Sequence, residues 1–340
     1  MTELNVGLIG FGLAGSVFHA PLIAAEPRMK LTAVSTSRDL PEEFASARTY
    51  ADPKELIADP EIDLVAIASP NPSHAPLARA ALMAGKHVVI DKPFAIDTRE
   101  AQGLIDLANL QGRHLSVFQN RRWDGNFITV RELLDESAVG EVRYCEIHFD
   151  RFRAKPKEGW RETVAPGSGV LYDLGPHLLD QALCLFGKPK WLFADVATQR
   201  DGAKVDDYFH IILDYDRTRV VVHASTLTAK TGPRLIAHGM KGSLYQYGMD
   251  QQEPQLIEGL RPGQPGWGEA EEVSVTISDG ESERQVAPKP GSYENFYRAV
   301  AAAIRDGAPT PVTHDEAYTL MTMLEAARRS AEEGRKIAIL

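Results

Sequence analysis

Leu4-Asn-Val-Gly-Leu-Ile9 runs straight into Gly10-Phe-Gly12-Leu-Ala-Gly15, and a helical stretch follows through His19 to Ala25. A strand, a glycine triplet at this spacing and a helix are the parts that seat a dinucleotide pyrophosphate. Gly10 allows the tight turn, Gly12 admits phosphates where a Cβ would stand in the way, and Gly15 lets the helix close on the strand. The start of the helix aims its unpaired N–H groups and the positive end of its dipole at the phosphate charge. A plain strand-to-helix turn is the alternative, and the flanking periodicities argue against it.

Working outward, strand and helix patterns alternate to about residue 119. Strands are expected at Leu31–Ser35, Asp63–Ser69, His87–Asp91 and His114–Phe118, and helices at Leu13–Ala25, Ser73–Ala84 and Thr98–Gln111. Leu64-Val-Ala-Ile-Ala68 is continuously apolar, as in a parallel sheet covered on both faces. Gly85-Lys86 and Gly112-Arg113 stand where helices need left-handed stops. Residues 1–120 are therefore expected to form a doubly wound, Rossmann-type parallel α/β domain that binds a dinucleotide.

The style then changes. After a helix at about Trp123–Leu134 come longer alternating strands at Glu141–Arg151, Trp191–Gln199, Tyr208–Tyr215 and Arg219–Leu227. Asp214-Tyr-Asp-Arg-Thr218 reads as a hairpin turn between the last two. One helix, Leu174–Phe186, interrupts them. Asp250–Gly291, rich in Gly, Pro and Glu, is expected to form loops and short edge strands, and helices at Tyr293–Asp306 and Asp315–Glu333 close the chain. Residues 121–340 thus read as an α+β domain built on a large, mostly antiparallel open sheet. Its outward apolar face needs cover, so a homodimer or homotetramer through that sheet is expected.

With 340 residues, about two domains are expected. The formal charge of -10 argues against nucleic acid and anionic membranes as partners. No apolar run approaches the roughly 20 residues that span a bilayer, and Glu3 precedes the first apolar stretch in place of a basic leader, so a cytoplasmic location is expected. Cys145 and Cys184, the only cysteines, lack metal-ligand spacing and read as small buried hydrophobes. No metal is expected, and the absence of a G-x-S-x-G elbow argues against a hydrolase.

At the end of the second strand, where an NAD site usually has an acid, the chain reads Val34-Ser35-Thr36-Ser37-Arg38. Hydroxyls and a guanidinium suit a 2′-phosphate, which predicts NADP over NAD. In a shifted register Asp39 would be the ribose ligand and Arg38 an ordinary loop residue. The fourth strand ends Ile90-Asp91-Lys92-Pro93, placing Lys92 at the rim where open α/β sheets bind ligands, with Pro93 able to take a cis peptide bond. Further on, Tyr172-Asp173-Leu-Gly-Pro176-His177 suggests a helix start. Pro176 is tolerated in a first turn, which makes Asp173 an N-cap or its neighbour, and the four-residue offset puts Asp173 and His177 on one side. His177 has the ordinary pKa for proton transfer near neutrality.

These residues resemble the glucose–fructose oxidoreductase/inositol dehydrogenase (Gfo/Idh/MocA) oxidoreductases. The resemblance rests on Gly10-x-Gly12-x-x-Gly15, Pro70-Asn71-x-x-His74, Ala84-Gly85-Lys86-His87-Val88, Asp91-Lys92-Pro93 and Asp173-x-x-x-His177, and covers essentially the whole chain. Phe118-Gln-Asn-Arg-Arg-Trp-Asp124 and Phe149-Asp-Arg-Phe-Arg153 are similar to the bacterial NADP-dependent scyllo-inositol dehydrogenase group. The resemblance implies a catalytic group of Lys92, Asp173 and His177. Asp91, where the family usually has Glu, would stand near the nicotinamide ribose. Ser69, Asn71 and His74 would line the nicotinamide end, Arg122 would reach cofactor or substrate, and Arg151, Arg153, Trp160 and Tyr172 would line the substrate pocket. The implied reaction is reversible hydride transfer between NADP and a secondary alcohol of a cyclic polyol or sugar. Lys92 and His177 remain interchangeable as proton acceptor at this level. Reduction of another sugar-derived carbonyl, or a cofactor-bound sensor without turnover, are the alternatives.

Overall fold

A computed structural model of the chain describes residues 3–156, 159, 162–271 and 274–340. The Cα packing separates two compact units, one of residues 1–120, 252–268 and 292–318, the other of residues 121–251, 269–291 and 319–340.

The first unit holds a parallel sheet of β1 (Leu4–Ile9), β2 (Met29–Ser35), β3 (Arg48–Tyr50), β4 (Leu64–Ile67), β5 (His87–Asp91) and β6 (Leu115–Phe118). Its spatial order is β3-β2-β1-β4-β5-β6. The chain winds outward in both directions from β1, so β1 and β4 flank the switch point at which such sheets hold ligands. Every residue of β4 is fully buried, which accounts for its unbroken apolar run. β3 is only three residues long, with Arg48 and Thr49 exposed and Tyr50 partly so, too short for any periodicity to announce it. The connecting helices are α1 (Ala20–Ala24), α2 (Pro53–Ala58), α3 (His74–Met83) and α4 (Thr98–Gln111). Asp97 caps α4 by accepting the Glu100 amide at 2.7 Å, and Gly112 ends it in the left-handed region at φ 59°. The helix after the glycine triplet is not uniform: Ala14–His19 is wound as a wide π-helix ahead of Pro21, which has no N–H to donate.

At the opposite strand ends, the His87 Nδ1 accepts the His114 amide at 2.9 Å, a bond that only the unprotonated ring can make. Burial, then Arg113, pushes the His87 imidazole down to about 4, and burial, then His87, does the same to His114. Both rings charge more readily unfolded than folded, so their neutral forms contribute stability above the unfolded value near 6.5 that is lost as pH falls toward 4. Urea titrations between pH 7 and 4 are expected to show falling stability, with a shallower slope in His87→Asn. An equal slope in the variant refutes the assignment.

Beyond residue 120 come α5 (Gly125–Asp135), β7 (Val142–His148), α6 (Val170–Phe186), β8 (Trp191–Ala197), β9 (Tyr208–Tyr215), β10 (Thr218–Ser225), β11 (Leu235–Gly239) and β12 (Gly242–Tyr247). Then follow α7 (Gln252–Ile257), the hairpin β13 (Ser274–Ser278) and β14 (Glu283–Val286), α8 (Glu294–Asp306), α9 (His314–Glu333) and β15 (Ile337–Ala338). α7 and α8 belong to the first unit. The nine strands order as β14-β13-β12-β11-β7-β10-β9-β8-β15, antiparallel except for the parallel pair β7 and β10. The β9–β10 turn has Asp216 at φ 62°, as a tight hairpin requires. Cys145, Ile147, Phe209, Ile211, Leu213, Val220, Val222 and Ala224 are buried on the face that α6 packs on, while their alternating neighbours Glu146, His148, His210 and His223 point to the other face. Cys145 is fully buried as expected, whereas Cys184 is only partly so.

One expectation fails. Asp173 is not the cap of α6: the helix begins at Val170, the N-cap position is Gly169, and Pro176 lies inside. The cap comes from Asp206. Its backbone carbonyl accepts the Val170 amide at 2.9 Å and its carboxylate accepts the Leu171 amide at 2.7 Å. These two bonds satisfy amides of the helix's first turn, so the helix extends a turn further back than Pro176 suggested. A Cβ on Gly169 would stand 2.1 Å from the Asp206 carboxylate, so only glycine admits this cap. Burial raises the Asp206 carboxyl above its usual range despite the Leu171 amide.

Candidate active site

In the first unit the predicted residues gather at the carboxyl ends of β1, β2, β4 and β5. Gly10 has φ 94°, and a Cβ there would lie 2.7 Å from the Ala68 carbonyl oxygen. A Cβ on Gly15 would strike the Gly10 carbonyl oxygen at 2.0 Å, so this glycine is required for the turn to pack on its own helix. At Gly12 nothing lies within 4 Å of such an atom. The three glycines therefore divide their duties as a pyrophosphate cradle demands: two hold the loop against the sheet and the middle one faces open space. These residues fit a nicotinamide dinucleotide.

At the end of β2, Ser35 is buried, Thr36 is partly buried, and Ser37, Arg38 and Asp39 are exposed. The Thr36 hydroxyl accepts the Arg38 amide at 3.0 Å, and the Arg38 Nη1 donates to the Phe11 carbonyl at 3.4 Å. That contact lays the guanidinium along the glycine loop.

Beyond β4, Ser69 Oγ lies 2.6 Å from Ser73 Oγ and Asn71 is buried. His74 is fully buried, with Nε2 2.8 Å from the Ser69 carbonyl and Nδ1 2.9 Å from the Pro93 carbonyl. It thus clamps the strand end that carries Ser69 to the turn that carries Lys92, and its part in the site is to hold that backbone. The Lys92–Pro93 peptide is cis, and the Lys92 amide donates to the Asp91 carboxylate at 2.8 Å. Burial opposes the charge on Asp91, but His19, then Lys92 and His74, outweigh it and hold the carboxyl below its usual range. His19 was not singled out by the sequence. Its ring is fully buried, Nε2 is 4.0 Å from Asp91, Nδ1 is 2.6 Å from the Tyr297 hydroxyl, and the ring lies 4.3 Å from that of Phe118. The signal available was its place on the helix behind the glycines, but its partner Asp91 is 72 residues away in sequence.

In the second unit Asp173 and His177 lie one turn apart on α6, Asp173 partly exposed and His177 buried at 7%. Asp180, on the following turn, receives a two-pronged ion pair from Arg122: Nε at 2.9 Å and Nη2 at 2.7 Å. Both side chains are buried, at 8% and 4% exposure. The Arg122 guanidinium, expected at cofactor or substrate, is therefore engaged with α6. The Arg121 guanidinium lies 5.0 Å over the Phe149 ring, which the Arg151 and Arg234 guanidiniums also approach, at 4.6 and 4.5 Å. Tyr172 points away from the Asp173–His177 side. With Arg328, whose guanidinium is 5.8 Å from its ring, and Asp206, it lines a separate cavity of about 350 Å³. Arg153 is exposed, its amide donating to the Thr226 carbonyl at 2.7 Å. Trp160 lies outside the described residues.

Among the described residues, no helix is long and apolar enough to cross a membrane. Comparison with known proteins places the pattern. Residues 4–119 match the description "Oxidoreductase family, NAD-binding Rossmann fold" and residues 131–339 its "C-terminal alpha/beta domain". The chain is 45% identical to the uncharacterized oxidoreductase YdgJ of Escherichia coli, over 97% of each chain. It is 36% identical to scyllo-inositol 2-dehydrogenase (NADP(+)) IolW of Bacillus subtilis, over 99% of this chain and 96% of that one. The solved structure of yvaA from Bacillus subtilis superposes with a TM-score of 0.94 at 35% identity, covering 100% of this chain and 99% of that one. A glycine cradle behind β1, an Asp-Lys-Pro turn behind β5 and matches to both family domains lead to one conclusion: the chain belongs to the Gfo/Idh/MocA oxidoreductases and is a dehydrogenase or reductase.

Proposed function

We propose that this oxidoreductase uses NADP and reversibly oxidises a secondary alcohol on a cyclic polyol such as scyllo-inositol. The observation that carries the cofactor choice is the end of β2, where two serines, a threonine and Arg38 stand in place of an acid and the guanidinium leans on the glycine loop at Phe11. The substrate class is supported by the likeness to IolW and, at 27% identity, to the inositol 2-dehydrogenase of Rhizobium meliloti.

Bound NADP would supply the acceptor for the hydride leaving the carbinol carbon. His177 takes the hydroxyl proton and returns it when the ketone is reduced. Lys92 donates a hydrogen bond to the same oxygen and stabilises the charge that develops on it. Asp173 bonds the substrate and holds His177, one turn on along α6, in the productive orientation. Asp91, kept ionised by His19, anchors the Lys92 backbone through its 2.8 Å bond. A homodimer or homotetramer through the open sheet face remains our assignment of assembly.

Initial rates with inositols, ketoinositols and sugars, read by NADPH and NADH absorbance, test the proposal. Turnover of an inositol with NADP preferred is expected, and Arg38→Ala should raise KM for NADP by about 10- to 100-fold, the worth of a charged hydrogen bond, while sparing NAD. Binding without turnover, turnover of non-inositol substrates only, or an unchanged cofactor ratio in the variant would each overturn the part it addresses.

A further inference from the structure

The open face of the second unit's sheet carries a cluster that the sequence spacing conceals. β7 and β10 run parallel with His148 directly opposite His223, and Asp150 follows β7 by two residues, returning to the same face. One donor atom from each of His148, Asp150 and His223 lies within 4.8 Å of the other two. His148 Nδ1 is 3.2 Å from one Asp150 carboxylate oxygen, and His223 Nε2 is 3.4 Å from the other. Ligands about 2.0–2.1 Å from a tetrahedral ion stand about 3.3 Å apart, close to the two histidine–carboxylate spacings, and the full set, spread over up to 4.8 Å, would draw together around the ion.

We propose that His148, Asp150 and His223 bind a divalent transition-metal ion of the zinc class. Two imidazoles and one carboxylate suit a borderline ion over calcium or magnesium, which prefer oxygen shells. The surroundings are already built as an outer shell. The far nitrogen of His148, Nε2, lies 2.7 Å from a Glu146 carboxylate oxygen, whose other oxygen accepts the Tyr144 hydroxyl. This is the carboxylate–histidine arrangement that orients a metal-bound ring and raises its basicity. The Ser225 amide donates to the Asp150 Oδ1 at 3.0 Å and fixes the carboxylate between the two rings. The His210 and Tyr208 rings pack at 5.5 and 5.3 Å against that of His223 and limit its rotation. The three side chains keep 23%, 10% and 16% of their exposure in the single chain, so an ion and its waters reach them before two copies pair through this face. The cluster shares no residue with the proposed hydride-transfer group.

The test is calorimetric titration of Zn²⁺ into the untagged, chelator-treated full-length chain, with Co²⁺ absorption as a probe of coordination. A single ion per chain at micromolar or tighter affinity is expected, with a visible Co²⁺ band of low-coordinate nitrogen–oxygen character. Asp150→Asn and His223→Gln, each first shown folded by circular dichroism, should weaken Zn²⁺ binding by at least about tenfold, the lower end for even outer-shell losses. Wild-type affinity no better than millimolar overturns the site, as does unchanged affinity in either variant. Should a variant fail to fold, the wild-type Co²⁺ spectrum decides alone, an octahedral all-oxygen spectrum refuting the assignment.

Discussion

Lys92→Ala is expected to lower kcat by about 10²- to 10⁴-fold, the range seen when a positioned proton donor or oxyanion partner is removed. The protein around it should survive the change. Its backbone is held by the Asp91 carboxylate on its own amide and by His74 on the Pro93 carbonyl, and neither bond involves the ammonium group. NADPH binding, followed by fluorescence quenching or energy transfer, should therefore stay within a few-fold of the parent while turnover collapses. A loss of binding in parallel with kcat would make Lys92 a support for the turn. A kcat within a few-fold of the parent would remove it from the chemistry. Asp91→Asn offers a contrast: it keeps the shape but removes the charge that His19 sustains, so it should disturb cofactor affinity and turnover together.

The largest stability effect is expected at Asp180. Arg122 and Asp180 form a bidentate pair with both side chains under a tenth exposed. Asp180→Ala removes the carboxylate that two guanidinium nitrogens of Arg122 engage in the interior, and breaking such a pair by removing one partner costs about 3–5 kcal/mol. By the usual scaling for domains of 150–250 residues, the midpoint temperature should fall by about 6–20 °C. Replacing both partners with apolar residues of similar size, Arg122→Met with Asp180→Leu, should recover much of that loss, because the pair's own desolvation cost disappears with it. Urea denaturation of the single and double variants decides. A single variant within about 1 kcal/mol of the parent would mean that the guanidinium finds other partners at little cost. Activity in the destabilised but folded variant is informative as well: Arg122 would be acting on cofactor or substrate only if Arg122→Met cuts turnover more than Asp180→Ala does.

Much of the first unit could be read in advance because its determinants are local. The glycine triplet, the apolar β4 and the capped α4 each depend on residues a few positions apart, and the duties assigned to Gly10, Gly12 and Gly15 match the space found around each. The short β3 and the strands β11 and β12 went unread, since brief edge or mixed-polarity strands carry little periodicity. Asp173 and His177 were recognised by their spacing on one helix face. The start of that helix was misplaced, because its cap, Asp206, lies 35 residues downstream and no rule of spacing reaches it.

By itself, the sequence determined that a parallel nucleotide-binding sheet precedes an α+β domain, and it named the residue types able to carry hydride chemistry. Strand periodicity, glycine stereochemistry and helix capping act over a few residues, so linear order suffices for them. The tertiary structure alone decided that His19 sustains Asp91, that Asp180 engages Arg122, that Asp206 starts α6, and that His148, Asp150 and His223 share a corner of one sheet face. Each of these unites groups from separate elements whose meeting depends on sheet register and helix packing, and charges or hydrogen bonds acquire their strength only when folding removes both partners from water.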